Sequence, residues 1–389
     1  MKSKICLVVQ RYGLEVNGGA ELQCRLFAEQ LAKKYEQVHV VTTKAIDYMT
    51  WKNEYTADEE NINGVILHRF DVDVERNINK FNKINGEFLY QGLSESREQE
   101  WINIQGPYCP KAIAYIEKHK EDFDVFIFFT YMYYTTVMGI SKVTEKAIVV
   151  PEAHDDPYIR MKIFNNVFLR PRSFFFNTEE ERQLVYSLFD NSGIPSALGG
   201  VGVEIPADVK GTRFKKKYKL ENYIIYVGRI DEGKNCDQLF QYFQEYKKRN
   251  PSDLKLVLVG KAVIDLPGSD DIVSLGFVDE QDKYDGIAGA RMLVLPSEYE
   301  SLSMVVLEAM SLYIPVIVYG KCAVLKGHCI KSNGAFYYNN YFEFEGEINY
   351  LLTHDEEVKI MCQNAKKYVE DNYQWDRIIE RLCLLIEAI

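Results

Sequence analysis

Glu300 and Glu308, with seven residues between them, flank a turn leading from a strand-like run into a helix-like one. The segment reads Met292-Leu293-Val294-Leu295, then Pro296-Ser297-Glu298-Tyr299-Glu300-Ser301-Leu302-Ser303, then Met304-Val305-Val306-Leu307-Glu308-Ala309-Met310. Spacing alone decides nothing, because Glu21/Glu29 and Glu87/Glu95 share it among the 35 glutamates of the chain. Position carries more weight, since open α/β sheets bind ligands at the carboxyl ends of their strands. A helix starting near Ser303 turns its first amides, about Leu302 to Val305, back toward the strand end, where they suit a phosphate. Glu308 then suits a diol such as a ribose, and Glu300 faces whatever lies beyond the phosphates. That is the layout of a nucleotide-sugar site. The plainer alternative is a solvated helix residue and a loop charge.

Tyr223-Ile224-Ile225-Tyr226-Val227 reads as a buried strand ending in Gly228-Arg229, and Lys234 opens the amphipathic run Cys236 to Tyr246. Two cations at a strand end beside a helix start fit a departing diphosphate, Arg as a planar fork of donors and Lys as a point charge. Pairing of a surface Arg229 with Asp231 is the alternative. Asn17-Gly18-Gly19-Ala20-Glu21 follows the first strand and opens a helix, and its glycines let backbone amides approach a phosphate or sugar. The chain has neither a GxGxxG dinucleotide loop there nor a Walker-type lysine loop, which counts against a nicotinamide dehydrogenase and an ATPase. His154 follows the strand-like run Ala147 to Pro151. Of its neighbours, Asp155 either orients the imidazole or caps the next segment, and capping is the expected role.

Taken together, these pieces resemble the retaining family 4 glycosyltransferases of the GT-B architecture. The resemblance rests on Gly228-Arg229 with Lys234, on Pro296-Ser297 through Glu300 to Glu308-Ala309-Met310, and on Pro315-Val316-Ile317. Asn17 to Glu21 and Pro151-Glu152-Ala153-His154-Asp155-Asp156-Pro157 add to it, in the right order over nearly the full length. One departure stands out: the family usually has Gly-Phe-Gly after the first glutamate, and this chain has Ser301-Leu302-Ser303. The resemblance implies an α/β fold with two Rossmann-like domains facing each other across a cleft and a C-terminal helix, begun by Trp375, crossing back to the first. It implies that His154 hydrogen-bonds the donor sugar and that backbone of the loop Gly276-Phe277-Val278-Asp279 meets the base, at Val278. Gly260-Lys261 would line the same pocket. Such enzymes usually hold the diphosphate with cationic side chains, so no metal and no cofactor are expected. The Asp71-Val72-Asp73 and Asp122-Phe123-Asp124 triplets, which match a metal motif of the other large glycosyltransferase fold, are read as chance.

The expected activity is transfer of a hexose, with retention, from a nucleoside diphosphate sugar to a hydroxyl of a glycan or lipid-linked acceptor in polysaccharide synthesis. UDP-glucose or another UDP-hexose is the expected donor. Catalysis falls to His154, Arg229, Lys234 and Glu300; the donor is held by Gly18, Gly19, Arg229, Lys234, Gly260, Lys261, Val278, Glu300, Leu302, Ser303 and Glu308. The alternatives are an epimerase or phosphorylase on the same fold, or a catalytically silent sugar-nucleotide-binding protein. The acceptor is expected around Glu15 to Glu21, Asp71 to Gln105 and Tyr131 to Thr136, with Tyr131, Tyr133 and Tyr134 either stacking on it or packing.

The elements that must position these groups follow from pattern and composition. The 389 residues suit two domains, and 47% hydrophobic content supports a core in each. The first half alternates strand-like runs (Ile5-Val9, Val38-Thr43, Val65-Phe70, Val125-Thr130, Ala147-Pro151, Ser173-Asn177) with helices such as Ala20 to Lys34. A second series begins at Tyr223 and continues through Leu254-Val259, Ile272-Leu275, Met292-Leu295, Pro315-Tyr319 and Ala335-Tyr337. The Gly- and Pro-containing stretch Ser192 to Val203 reads as a hinge. It divides an N-terminal domain, residues 1–196 completed by 373–389, from a donor domain, residues 197–372. Asp71 to Gln105 reads as a polar insertion or mobile region. A formal net charge of −11 argues against nucleic acid as a partner. Lys215-Lys216-Lys217 and Lys247-Lys248-Arg249 read as solvated faces, with weak peripheral membrane contact as the lesser alternative. Eight scattered cysteines without ligand spacing read as thiols of a reducing compartment. The start Met1-Lys2-Ser3-Lys4 before Ile5 to Val9 is too short in apolar residues for a signal peptide. No run reaches spanning length. A soluble, cytoplasmic protein is expected.

Overall fold

The computed structural model of the chain describes residues 3–16 and 18–389, so Asn17 of the glycine motif lies outside the described residues. Short apolar runs become strands because they are buried on both faces, as parallel strands covered by helices must be. The first sheet comprises β1 (Lys4–Val8), β2 (Gln37–Thr43), β3 (Glu59–Ile62), β4 (Val65–Phe70), β5 (Val125–Phe129), β6 (Ala147–Val150), β7 (Ser173–Phe176) and β8 (Ser196–Leu198), in the order β3-β4-β2-β1-β5-β6-β7-β8. Only the β3–β4 pair is antiparallel. The second sheet comprises β9 (Tyr223–Val227), β10 (Lys255–Val259), β11 (Ile272–Gly276), β12 (Leu293–Leu295), β13 (Val316–Tyr319) and β14 (Phe336–Tyr338), in the order β11-β10-β9-β12-β13-β14. All its pairs are parallel. Strand order reverses between β1 and β5 in one sheet and between β9 and β12 in the other, the doubly wound arrangement whose ligand crevices open at the reversal.

Residues up to Gly200, together with Asp376–Ile389, form one compact unit, and Val201–Trp375 form the other. The helix Trp375–Glu387 buries Ile378, Ile379, Leu382 and Ile386, and Arg381 Nη1 donates to the Leu198 carbonyl at 3.0 Å within the first unit. Trp375 itself belongs to the second unit and packs on Gly202, where a Cβ would lie 2.4 Å from the indole. No described helix is long and apolar enough to cross a membrane. All eight cysteines are free thiols, seven of them buried.

Three segments depart from expectation. β3 was not anticipated, although Asn63-Gly64 signals it: φ is 51° at Asn63 and 86° at Gly64, the positive pair that a tight two-residue hairpin needs. β8 lies inside the stretch expected to be a plain hinge. Asp71 to Gln105, expected as an insertion or mobile region, is largely helical. It contains the helices Ile78–Gln91 and Glu95–Gln105, the first capped by Asn77, whose side chain accepts from Lys80 N at 3.0 Å. Phe81, Ile84 and Phe88 fall at helical spacing and face Trp101 and Ile102 in the first unit's core. The Trp101 indole stacks on Tyr158 at 5.6 Å between centroids. Polar residues outside that narrow stripe hid it.

The packing makes a clear prediction. Trp101→Ala should lower stability by about 3–5 kcal/mol, the usual cost of deleting a buried large aromatic, as read by urea unfolding. An unchanged midpoint would mean that these helices are peripheral.

Candidate functional site

The loops leaving β9, β10 and β11 are zipped together by backbone. Gly228 N donates to Val259 O at 2.9 Å, Gly260 N to Gly276 O at 2.8 Å and Ile230 N to Lys261 O at 3.0 Å. Gly228 and Gly260 adopt φ of 151° and 140°, and a Cβ on Gly260 would stand 1.9 Å from the Gly228 carbonyl oxygen. Glycine is therefore required at Gly260 by close approach as well as by conformation. Lys261 is exposed and Val278 half-buried, so the loops expected to meet a base do lie side by side.

Past Gly228, Asp231 organises both cations. Its Oδ2 pairs with Arg229 Nε, and its Oδ1 accepts Lys234 N at 2.8 Å, capping the 3₁₀ turn Glu232–Lys234. The Arg229–Asp231 pair, offered as the alternative reading, is thus present, with the Arg229 side chain 42% exposed. Lys234 Nζ donates to Glu300 Oε1 at 2.8 Å, which brings two of the expected residues into contact across the β9 and β12 strand ends. Asn235 Nδ2 donates to the Pro296 carbonyl at 3.2 Å, a second tie between the same loops. An ammonium has three donors, so Lys234 retains two beyond Glu300.

Ser303, with φ 69° and ψ 80°, is the N-cap of the helix Met304–Ser311, and its side chain makes no capping bond. Its Oγ is buried without a hydrogen-bond partner among the described residues, as is Ser297 Oγ. A non-glycine residue in this region costs on the order of 1–3 kcal/mol and persists only where its surroundings over-determine it. Leu302 is buried, and its carbonyl accepts His328 Nε2 at 2.7 Å. Glu308 is neither a solvated helix residue nor unoccupied. It is 5% exposed, and its Oε1 accepts Lys283 Nζ at 2.8 Å and Tyr284 Oη at 3.1 Å. The sequence offers Asp231 only as a pairing partner and does not single out Lys283, Tyr284 or His328. The last three act at 24 to 26 residues' separation, where no local spacing reveals them.

In the first unit, the strand ends carry a buried polar network. Glu21 Oε1 accepts Gln10 Nε2 at 2.9 Å, Arg11 Nε at 2.8 Å and Arg11 Nη2 at 2.6 Å. Gly18 lies against this pair, where a Cβ would be 2.1 Å from Glu21 Oε2, while among the described residues nothing lies within 4 Å of a Cβ on Gly19. Gly18 is thus explained by packing on Glu21. His154 is oriented by Asp156, not Asp155: Nε2 lies 3.1 Å from Asp156 Oδ2, which also accepts Tyr131 Oη at 2.9 Å. Asp156 Oδ1 caps the turn Tyr158–Arg160, whereas Asp155 pairs with Arg160. That corrects the capping role expected of Asp155. Tyr131 and Tyr134 are buried and Tyr133 packs edge-on against Trp51, so of the two readings offered for these rings, packing describes Tyr131 and Tyr134. Asp71 pairs with Lys44 and Asp122 with His119. Among the described residues, no group of three or more His, Cys, Asp or Glu is arranged to hold a metal.

Burial pushes the Glu152 carboxyl well above its ordinary value of 4.5, and the charges of Glu21 and Glu181 add to the rise against the Thr130 hydroxyl that bonds its Oε2. Burial likewise raises Glu181 to about 8, outweighing backbone amides of Asn177, Ala153, Thr178 and Glu152. Glu152 falls inside the quoted run Pro151 to Pro157, but neither it nor Glu181 has an expected role, though Thr178 and Glu181 have capping-box spacing.

Residues 210–368, all within the second unit, match the family Glycosyl transferases group 1. An uncharacterized glycosyltransferase of Methanocaldococcus jannaschii is 27% identical over 168 residues, a match that covers 41% of this chain and 43% of that relative. Sucrose-phosphate synthase of Thermosynechococcus elongatus superposes with a TM-score of 0.74 at 15% identity, covering 100% of this chain and 99% of that one. HepE of Anabaena, solved with UDP and glucose, superposes with a TM-score of 0.72 at 12% identity, covering 100% of both chains. At such identities the likeness is one of fold, and the fold is GT-B: two α/β units, each built on a mainly parallel sheet.

The Glu152 carboxyl generates a pH prediction. Below its ordinary value of 4.5 both folded and unfolded chains hold the proton; above it only the folded chain does, so its contribution to stability falls as pH rises. Glu152→Gln keeps an acceptor for Thr130 and removes the titration. Melting curves should coincide with the parent near about pH 5 and lie above it at about pH 8. A variant less stable than the parent at both values would show that Glu152 is ionised and needed as such.

Proposed function

We propose that the chain is a retaining glycosyltransferase that moves a hexose from a UDP-linked sugar to a hydroxyl of a glycan or lipid-linked acceptor in polysaccharide synthesis. The observation that carries this reading is the contact of Lys234 with Glu300 across the β9 and β12 strand ends, at the sheet's reversal point, with buried Glu308 on the adjoining helix. The group 1 match over residues 210–368 and the GT-B fold support it. A UDP donor is supported by the HepE structures containing UDP and UDP-glucose.

In this reading, Arg229 and Lys234 stabilise the charge that grows on the departing diphosphate, together with the amides of Leu302 and Ser303. Asp231 and Glu300 fix the two cations beforehand, so little reorganisation is needed when charge develops. Glu308, anchored by Lys283 and Tyr284, accepts from the ribose hydroxyls. Glu300 grips sugar hydroxyls, and Gly260, Lys261 and Val278 line the base. The family resemblance assigns His154 to the donor sugar, and Asp156 gives that imidazole a fixed orientation. Gly18 and Gly19 keep their assignment as backbone donors, with Gly18 also serving the Glu21 contact. The front-face displacement proposed here uses the leaving phosphate as base for the acceptor hydroxyl and needs neither a covalent nucleophile nor a metal.

A thermal-shift series of UDP, GDP and ADP sugars tests the donor. Saturation at a hundred times Kd should stabilise the chain by about 2.7 kcal/mol, for UDP sugars above the rest. No shift with any nucleotide would remove the reading, and phosphate-dependent turnover would favour a phosphorylase. Arg229→Ala and Lys234→Ala should each lower kcat by about a hundredfold or more with small change in Tm, since half-exposed pairs add little stability. Near-parental rates in both would dissolve the diphosphate assignment.

A further inference from the structure

We propose that His328 is a positioning residue for the loop Glu300 to Ser303, fixing through the Leu302 carbonyl the backbone that presents Glu300 and the first helical amides to the diphosphate. The proposal rests on the donor-site reading above. His328 lies on the helix Ala323–Ser332 and is wholly buried. Its Nε2 lies 2.7 Å from the Leu302 carbonyl oxygen, and its Nδ1 lies 3.0 Å from Tyr368 Oη. A carbonyl can only accept, so Nε2 carries the proton. With the ring carrying a single proton at Nε2, Nδ1 is an acceptor to which the Tyr368 hydroxyl can donate. Tyr368 Oη lies 3.2 Å from Tyr373 Oη, and either hydroxyl can donate. A chain of hydrogen-bond contacts thus runs from Tyr373 through Tyr368 and His328 to the loop. Its far end is tied down as well, because the Tyr373 carbonyl accepts Val203 N at 3.0 Å.

The loop needs such an anchor. Ser303 sits at positive φ without a side-chain capping bond and with its hydroxyl unpartnered among the described residues, so its conformation must be imposed from outside. Asn235 holds the start of the loop through the Pro296 carbonyl, Lys234 holds Glu300, and His328 holds the end next to Ser303. The same region in the resembled family carries glycine on both sides of its central residue. Here serine flanks Leu302, and a fully buried histidine bonds the Leu302 carbonyl.

Three variants test this, with UDP as the probe. His328→Leu removes the donor, His328→Gln retains an N–H at the position of Nε2, and His328→Leu/Ser303→Gly removes the donor but lets residue 303 take positive φ freely. UDP affinity should fall about tenfold in the Leu variant, the scale of one hydrogen bond lost with its partner left unsatisfied, and by less than about threefold in the Gln variant. Adding Ser303→Gly should restore most of the affinity. Amide exchange at Ser301 to Met304, measured relative to β9 amides without nucleotide, should accelerate about tenfold in the Leu variant and recover in the Gln variant. Equal affinity losses in Leu and Gln, UDP binding by the Leu variant as tight as the parent's, or unchanged loop exchange would each overturn the proposal. Failure of the parent chain to bind any nucleoside diphosphate would overturn the donor-site reading, and the nucleotide-free exchange comparison distinguishes that failure from failure of the clamp.

Discussion

The arrangement at the second unit's strand ends depends on backbone meeting backbone where the loops after β9 and β10 converge. With the Gly228 carbonyl oxygen 1.9 Å from where a Gly260 Cβ would stand, no side chain fits at Gly260. The Ile230–Ala262 bridge then continues the pairing past the end of the sheet. Because the parallel ladder persists beyond β9, the segment Arg229 to Lys234 is not a free surface loop. Asp231 closes it into a turn that starts the helix Cys236–Arg249. The cations are therefore carried by elements whose positions are set by main-chain hydrogen bonds.

The charged pairs at this site divide by what they do for stability. Arg229–Asp231 and Lys234–Glu300 are partly exposed, and pairs of that kind contribute about 0–1 kcal/mol. In the proposed donor reading their value is geometric: a guanidinium and an ammonium held in place would present charge without the entropy cost of ordering two long side chains on binding. Glu308 is different. Buried with Lys283 and Tyr284 on one oxygen, it would be costly to leave unpaired, so its carboxyl is fixed in direction. The first unit uses the same device more heavily, since Arg11 faces Glu21 in a network whose other carboxyls, Glu152 and Glu181, burial drives toward the protonated form.

Much of the fold was legible because it follows from short apolar runs. VFIFF, AIVV and SFFF have no plausible place except the interior of a parallel sheet, and their alternation with helical periodicity leads to a doubly wound fold. β3 escaped because its residues, Glu59-Glu60-Asn61-Ile62, are nearly all exposed at a sheet edge; the turn, rather than the strand, carried the signal. Asp71 to Gln105 escaped because its helices bury a thin stripe under a polar surface. At the site, residues on the strand-end loops could be picked out from position alone. Their partners could not: Lys283 and Tyr284 lie on a helix of ordinary composition, and His328 sits in the middle of a mixed helix. Which of them would touch Glu308 or Leu302 is a consequence of strand order, not of local sequence.

Strand order also explains how Ser301-Leu302-Ser303 can stand where the resembled family has glycines. A glycine loop obtains positive φ at no steric cost but leaves the backbone free to sample other conformations. A serine at the same φ is disfavoured locally, so the loop holds its form only if the surrounding structure selects it. That selection comes from β13 and the helix that follows it, Ala323–Ser332, which place His328 beside the β12 loop. Rigidity is thus moved from the composition of the loop to a buried contact behind it. Ser303 places no capping side chain on the first amides of the helix Met304–Ser311, so serine in place of glycine alters how the loop is held without covering the amides at its end.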